Sequence, residues 1–372
     1  MNKILRSAFS LLWMSSWLAG CASATTPMQT FPTQLPTFTA QIPSVTPSPT
    51  TTPIPTASST PQLLPISAEA SAYLNEALDI MQNNSLHRDN IDWKRFRDAA
   101  FNIAEHAQTP ADTHRAIRYA LYQLGDHHSH FLTPEESTHQ QQLTLNDIPQ
   151  PRAKLLLNKL GFVAIGGFAG REGDKYATLA QQLIRDIDTQ EPCGWIVDLR
   201  ENDGGGIGPM VAGLGPILGE GQIGASVKID GSKEIWAYKD GQALAGGQVF
   251  VQVDGPAYRL KASSPPVAVL TGMKTASAGE AIVVAFRGRP NTRSFGLYTA
   301  GVPTGNEGFT LSDGAVIALT VAVFADRTGQ TYEDRIYPDE WVDEAQKLTI
   351  IMDEIIPKPA IDWLMSQPAC RG

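Results

Sequence analysis

The sequence predicts an α/β fold, a mixed core of strands and helices preceded by a small helical subdomain. Three observations predict it. From Ser67 to Gly125 apolar residues recur at helical spacing behind good N-caps. From Gly161 onward the texture changes to short apolar runs separated by glycine-rich loops and helical stretches. A unit of buried strand, small-residue loop and helix then occurs twice, once from Trp195 and again from Val267, with no repeat or solenoid period in the chain.

Element by element, Ser67 caps a helix that carries Tyr73, Leu74, Ala77, Leu78 and Met81 on one face, and Asp92 caps another with Trp93, Phe96, Ala100 and Ala104. A third helix starts with Thr109 as cap, Pro110 at its first position and Asp112 soon after; it shows Ile117, Leu121 and Leu124 as a stripe and stops at Gly125. In the core, Phe162 to Phe168 reads as a strand and Lys175 to Ile187 as a helix. Trp195 to Leu199 is a strand that runs into Gly204, Gly205 and Gly206 and then a helix from Pro209 to Leu218. The recurrence places a strand at Val267 to Leu270 and a helix at Gly279 to Arg287. Strands over Ala315 to Phe324 and closing helices over Gln346 to Ile356 and Ala360 to Met365 complete the expectation.

The N-terminus reads differently. Lys3 and Arg6 precede an apolar run from Ala8 to Ala19, long enough for a signal-peptide core and too short to span a bilayer. The run ends in Leu18, Ala19, Gly20 and Cys21, similar to a bacterial lipobox, so residues 1–20 are expected to be a lipoprotein signal peptide and Cys21 the lipidated first residue of an anchored, extracytoplasmic chain. Residues 21–65 are Thr, Pro and Ser with few charges and few large apolar groups; such a composition reads as a disordered stalk able to reach roughly 100 Å. The helical subdomain is then expected over 66–140 and the core over 155–372. A net charge of −9 without clustered Lys and Arg excludes a nucleic-acid surface. Beyond Cys21 only Cys193 and Cys370 remain, and an oxidising compartment leaves a bridge between them open.

In α/β sheets, sites form beyond the carboxyl ends of strands, and two such ends carry unusual loops. One is Asp203, Gly204, Gly205; the other is Thr275, Ala276, Ser277. Ser277 fits either a helix N-cap or a presented nucleophile. The glycines fit either a tight turn or a set of backbone N–H donors for an oxyanion, while a phosphate loop fails for want of a following lysine. All seven histidines lie between His87 and His139, so a histidine base must come from the N-terminal half. The segment Gly125, Asp126, His127, His128, Ser129, His130 supplies one on a short loop; a zinc site and a solvated polar loop are the competing readings, although no spaced ligand set completes a metal shell.

Three stretches resemble the C-terminal processing (tail-specific) peptidases, with their relatives the tricorn core protease and the nisin-resistance protein. Trp195 to Gly206 is similar to the family's strand and Asn-Pro-Gly-Gly loop, with Asp203 in place of proline. Lys274 to Glu280 is similar to its Thr-Ala-Ser nucleophile segment, and Phe309 to Thr320 with Tyr337 to Val342 resembles the segments that end the core. The resemblance implies a ClpP/crotonase-like core, Ser277 as nucleophile, and Gly204, Gly205 and Ala278 as oxyanion donors. Where one branch of the family carries a catalytic lysine, this chain reads Thr299, Ala300, Gly301, Val302, Pro303. The histidine-using branch has an Asp-x-His-Ser segment that Asp126 to Ser129 matches, which makes His128 the expected base and His127 and His130 stand-ins. Glu280 and Arg200 are the ionisable groups on the matching loops, as supports for the base or substrate or as ion pairs. About thirty residues between Phe131 and Gly161 are too few for an inserted PDZ domain. The implied activity is that of a serine peptidase without cofactor, acting on a peptide or protein. A non-catalytic peptide binder is the alternative, and an acyl-CoA enzyme is disfavoured by export.

Overall fold

In the computed structural model, residues 64–342 and 348–371 are described; the expected signal peptide, Cys21 and nearly all of the expected stalk lie outside them. Helices α1 (Ala68–Asn84), α2 (Trp93–Ile103) and α3 (Pro110–Gln123) form where the caps predict them. Ser67 Oγ accepts the amide of Ala70 at 3.1 Å, Asp92 Oδ1 accepts that of Arg95 at 3.1 Å, and Asp112 Oδ2 accepts that of Thr109 at 2.9 Å. Gly125 takes φ 77° just past α3, the left-handed conformation that ends helices. Strand β1 (His130–Leu132) and α4 (Pro134–Gln142) follow.

The core holds β2 (Arg152–Leu156), β3 (Leu160–Ala164), α5 (Gly173–Asp188), β4 (Gly194–Asp198), α6 (Ile207–Leu218), β5 (Gly221–Lys228), β6 (Lys233–Lys239), β7 (Gln242–Ala245), β8 (Gln248–Gln252) and β9 (Val267–Thr271). It continues with α7 (Ala278–Phe286), β10 (Thr292–Gly296), β11 (Thr304–Thr310), β12 (Val316–Asp326), β13 (Thr331–Tyr332), β14 (Glu340–Trp341), β15 (Leu348–Ile351), β16 (Glu354–Pro357) and α8 (Lys358–Ser366). One six-stranded sheet runs β14-β10-β9-β4-β3-β2, parallel except for the β2–β3 pair. Its strands β3, β4 and β9 are buried along their whole length, which is why they read as unbroken apolar runs. Helices α5, α6 and α7 cover one face through Tyr176, Ile184, Met210, Leu214, Ile282 and Phe286; α8 covers the other through Ala360, Ile361 and Leu364.

The second sheet is antiparallel, in the order β1-β12-β5-β6-β7-β8, with β11 and β13 also on β12. The helical segment is not a body apart: Tyr73, Leu78, Ile117 and Leu121 share one core with Leu311, Ala315, Ile317 and Leu319, and β1 pairs with β12. The expected strand Phe162 to Phe168 ends at Ala164, and Phe168 bridges to Gly205 instead. The helix expected over Gln346 to Ile356 is corrected: its described part is the β15–β16 hairpin, where Leu348 and Ile350 alternate with their neighbours and Met352 and Asp353 turn at φ 50° and 67°. Residues 221–252, unassigned from the sequence, form β5 to β8. Signals were present there, since Asp240-Gly241 and Gly246-Gly247 turn the hairpins with positive φ at both residues. Cys193 and Cys370 form a disulfide with Cα atoms 5.0 Å apart.

Candidate active site

Ser277 follows β9 at the N-cap position of α7, and it is 4 % exposed. Its φ of 52° and ψ of −118° differ from the extended backbone of an ordinary cap and match the sharp strand-to-helix turn on which nucleophiles are presented. The loop before it is stitched down: Thr275 Oγ1 donates to Leu199 O at 2.8 Å and accepts the Gly272 amide at 3.0 Å, while the Ala276 amide donates to Asn202 O at 2.9 Å.

The glycine loop lies directly against this turn. A Cβ on Gly204, φ 113°, would stand 2.8 Å from Ser277 Cβ, and one on Gly205, φ 94°, would stand 1.8 Å from Phe168 O, so neither position admits a side chain. Asn202, fully buried, organises the loop. Its Nδ2 donates to Ile165 O at 3.1 Å and its Oδ1 accepts the Gly204 amide at 3.1 Å. That bond occupies the Gly204 N–H, whereas among the described residues the N–H groups of Gly205 and Ala278 have no hydrogen-bond acceptor. Asp203, where the resemblance leads one to expect a proline, is exposed as a residue, and the partial desolvation of its carboxyl by the surrounding loop raises its pKa.

Glu280 is 0 % exposed and makes no hydrogen bond to His128 among the described residues. Its Oε1 accepts Thr299 Oγ1 at 2.5 Å and the Gly301 amide at 2.9 Å; its Oε2 accepts the amides of Ser277 at 2.9 Å and Val302 at 3.0 Å. Burial pushes its pKa up to about 7 against these four donors, each of which favours the ionised form. The stretch from Thr299 to Val302 therefore clamps, through Glu280, the turn at Ser277. Arg200 forms an ion pair: its guanidinium grips Asp198 at 2.7 and 2.9 Å and donates to Ile355 O at 2.7 Å, tying β4 to the β15–β16 hairpin.

His128 is half-buried, on the loop between α3 and β1. Asp126 shapes that loop by accepting the amides of His128 at 2.9 Å and Ser129 at 2.7 Å, and Ser129 Oγ accepts the amide of Thr320 at 2.9 Å. The ring Nδ1 lies 2.7 Å from Thr304 Oγ1, and Asn306 Nδ2 donates to the His128 carbonyl at 3.0 Å. Desolvation lowers the pKa of His128 to about 4, with a further push from His130 and a smaller opposing pull from Asp126. Of the stand-ins, His127 is exposed and packs edge-on to Tyr122, while His130 spends its Nδ1 on the His128 carbonyl at 3.1 Å. Among the described residues no group of three His, Cys, Asp or Glu is placed to hold a metal ion.

The short run 299–304 joins the two halves of the site. Thr299, Gly301 and Val302 hold Glu280, which holds the Ser277 amide, and Thr304 meets His128. No hydrogen bond joins Ser277 Oγ to His128 among the described residues. Asn202, Thr304 and Asn306 were not singled out from sequence; for Asn202 a signal existed, as the asparagine that opens the glycine-loop motif.

Residues 159–342 match the family model described as peptidase family S41. The nisin-resistance protein of Lactococcus lactis subsp. lactis is 28% identical over 296 residues, covering 79% of this chain and 87% of that protein. The carboxyl-terminal-processing protease of Synechocystis sp. is 28% identical over 204 residues, 55% of this chain and 39% of that protein. Among solved structures, a lipoprotein from Streptococcus agalactiae superposes with a TM-score of 0.66 at 25% identity, covering 82% of this chain and 98% of its own. The photosystem II D1 C-terminal processing protease gives 0.54 at 16% identity, covering 82% and 99%, a likeness of fold alone.

Proposed function

The chain carries a peptidase family S41 domain over residues 159–342, and from that premise we propose that it is a serine endopeptidase of the cell envelope, lipid-anchored at Cys21 and held off the membrane by the stalk. In this reading Ser277 Oγ attacks the carbonyl carbon of a peptide bond while its proton passes to His128 Nε2. The carbonyl π electrons move onto oxygen, where the N–H groups of Gly205 and Ala278 receive the charge. Collapse breaks the C–N bond, the leaving amine takes the proton from Nε2, and water then hydrolyses the acyl-enzyme by the same route. The envelope location draws support from the similar nisin-resistance protein and streptococcal lipoprotein.

The observation that carries the proposal is the pairing of a buried serine in a sharp turn with two unpartnered backbone donors beside it. The histidine that would serve it is neutral over the physiological range, because its pKa is lowered to about 4. The full chain treated with a fluorophosphonate should give an adduct mapped by mass spectrometry to Ser277. That adduct should be absent from Ser277→Ala and formed at least about a hundredfold more slowly in His128→Ala. A folded wild-type protein that takes no adduct would replace this reading by that of a peptide-binding envelope lipoprotein, which the missing Ser277–His128 hydrogen bond favours.

A further inference from the structure

We infer that Thr304 is the positioning residue of His128: its hydroxyl accepts the hydrogen on Nδ1 and so holds the imidazole in the tautomer whose Nε2 lone pair faces the reaction. The inference deepens the serine-peptidase reading and rests on it.

The geometry supports the assignment from three sides. Thr304 Oγ1 stands 2.7 Å from Nδ1, and its residue is 8 % exposed at the start of β11, where pairing with Val323 of β12 and the bond from its own amide to Val302 O at 2.8 Å hold the backbone. Asn306, two residues on and just past the register shift of β11 on β12, donates to the His128 carbonyl at 3.0 Å and accepts from Thr320 Oγ1 at 2.8 Å. Ring and backbone of His128 are therefore both held from one strand, β11. The third side is elimination among carboxylates: Asp126 is engaged with the amides of its own loop, and Glu280 with four donors of its own.

An uncharged partner has a chemical consequence. In a histidine base, the group on the second nitrogen fixes the tautomer and, where it is a carboxylate, also stabilises the imidazolium that forms. A threonine hydroxyl can donate as well as accept, so it does the first only while it accepts the Nδ1 hydrogen, and it does little of the second. The charged or titratable groups acting on His128 are then His130, which disfavours its protonation, and Asp126, which favours it weakly; the lowered pKa accords with that balance.

The test uses the full chain and two variants, Thr304→Val, which keeps the branched shape without the hydroxyl, and Thr304→Ser, which restores it. Imidazole nitrogen NMR should show His128 with its proton on Nδ1 in the wild type and in Thr304→Ser, and on Nε2 or exchanging in Thr304→Val. The rate of fluorophosphonate labelling of Ser277, followed against pH, should fall about tenfold in Thr304→Val with its acidic midpoint moved lower, and both should recover in Thr304→Ser. A wild-type His128 protonated on Nε2, or a Thr304→Val protein with unchanged rate and midpoint, overturns the assignment. So does an equal loss in both variants with lowered melting temperatures, which marks a structural role. Wild-type protein that resists labelling yet shows the Nδ1 proton, lost only in Thr304→Val, sinks the peptidase reading and leaves the positioning of the ring intact.

Discussion

Ser277 holds a backbone conformation, φ 52° with ψ −118°, that glycine adopts freely and a residue with a Cβ adopts under strain. Ser277→Gly should therefore raise the stability of the fold by about 1 kcal/mol while abolishing labelling, and Ser277→Ala should abolish labelling without that gain; chemical denaturation of the three proteins measures it. Glu280 provides a second residue-scale test. Its pKa is raised from 4.5 to about 7 by burial, so below about 4.5 the carboxyl is neutral in folded and unfolded chains alike and its contribution is full. As pH rises toward 7 the unfolded chain ionises before the folded one, and that contribution is lost, about 3 kcal/mol across the window. Glu280→Gln cannot titrate; its stability should fall less between pH 5 and 7.5 than that of the wild type, and equal slopes would discard the raised pKa. Lys274 to Glu280 singled out Ser277 and Glu280 in the sequence as candidates. That Glu280 clamps the turn was not legible there, because three of its four donors come from residues 299–302.

At the scale of elements, the two loops of the site behave as one piece because Asn202 joins them. It fixes the Gly204 amide through its side chain and the Ala276 amide through its carbonyl, and it anchors both to the end of β3. Asn202→Ala would leave the buried Gly204 N–H and Ile165 C=O without partners, at roughly 2 kcal/mol or more in stability. Labelling of Ser277 should also slow, since the proposed oxyanion donors lose their register; a variant with normal stability and normal labelling would show that the glycines hold the loop alone. Capped helices were the easiest elements to read, because Ser67, Asp92 and Thr109 act on their own first turns. Strands β5 to β8 went unread although their turns were marked, since glycine, lysine, glutamate and glutamine interrupt their apolar residues, which make no unbroken run like those of the buried β4 and β9.

At the scale of the whole molecule, the disulfide closes the chain across 177 residues, from the start of β4 to the segment after α8. In the chain-entropy account a loop of that length is worth up to about 5 kcal/mol. The bridge also keeps Leu364 and Ile361 of α8 on the buried face of the parallel sheet. Cys370→Ser should lower the melting temperature by several degrees and raise hydrogen exchange in α8 first, with Ser277 labelling retained at low temperature; an unchanged melting temperature would assign the stability to α8 packing alone.

The sequence by itself determined the elements whose cause is local: helices with their caps, the fully apolar strands, the two strand–loop–helix units, and the motif that marks Ser277. It also delimited the candidate bases, because all seven histidines fall in one stretch. Only the tertiary structure decided which partners those residues meet. The Nδ1 contact of His128 lies 176 residues away, the clamp on Glu280 comes from 19 to 22 residues downstream, and the disulfide leaves no local trace. The physical reason is that propensity and periodicity act within a few residues along the chain, whereas a hydrogen bond between side chains is set by strand order and register, which packing of the whole chain selects.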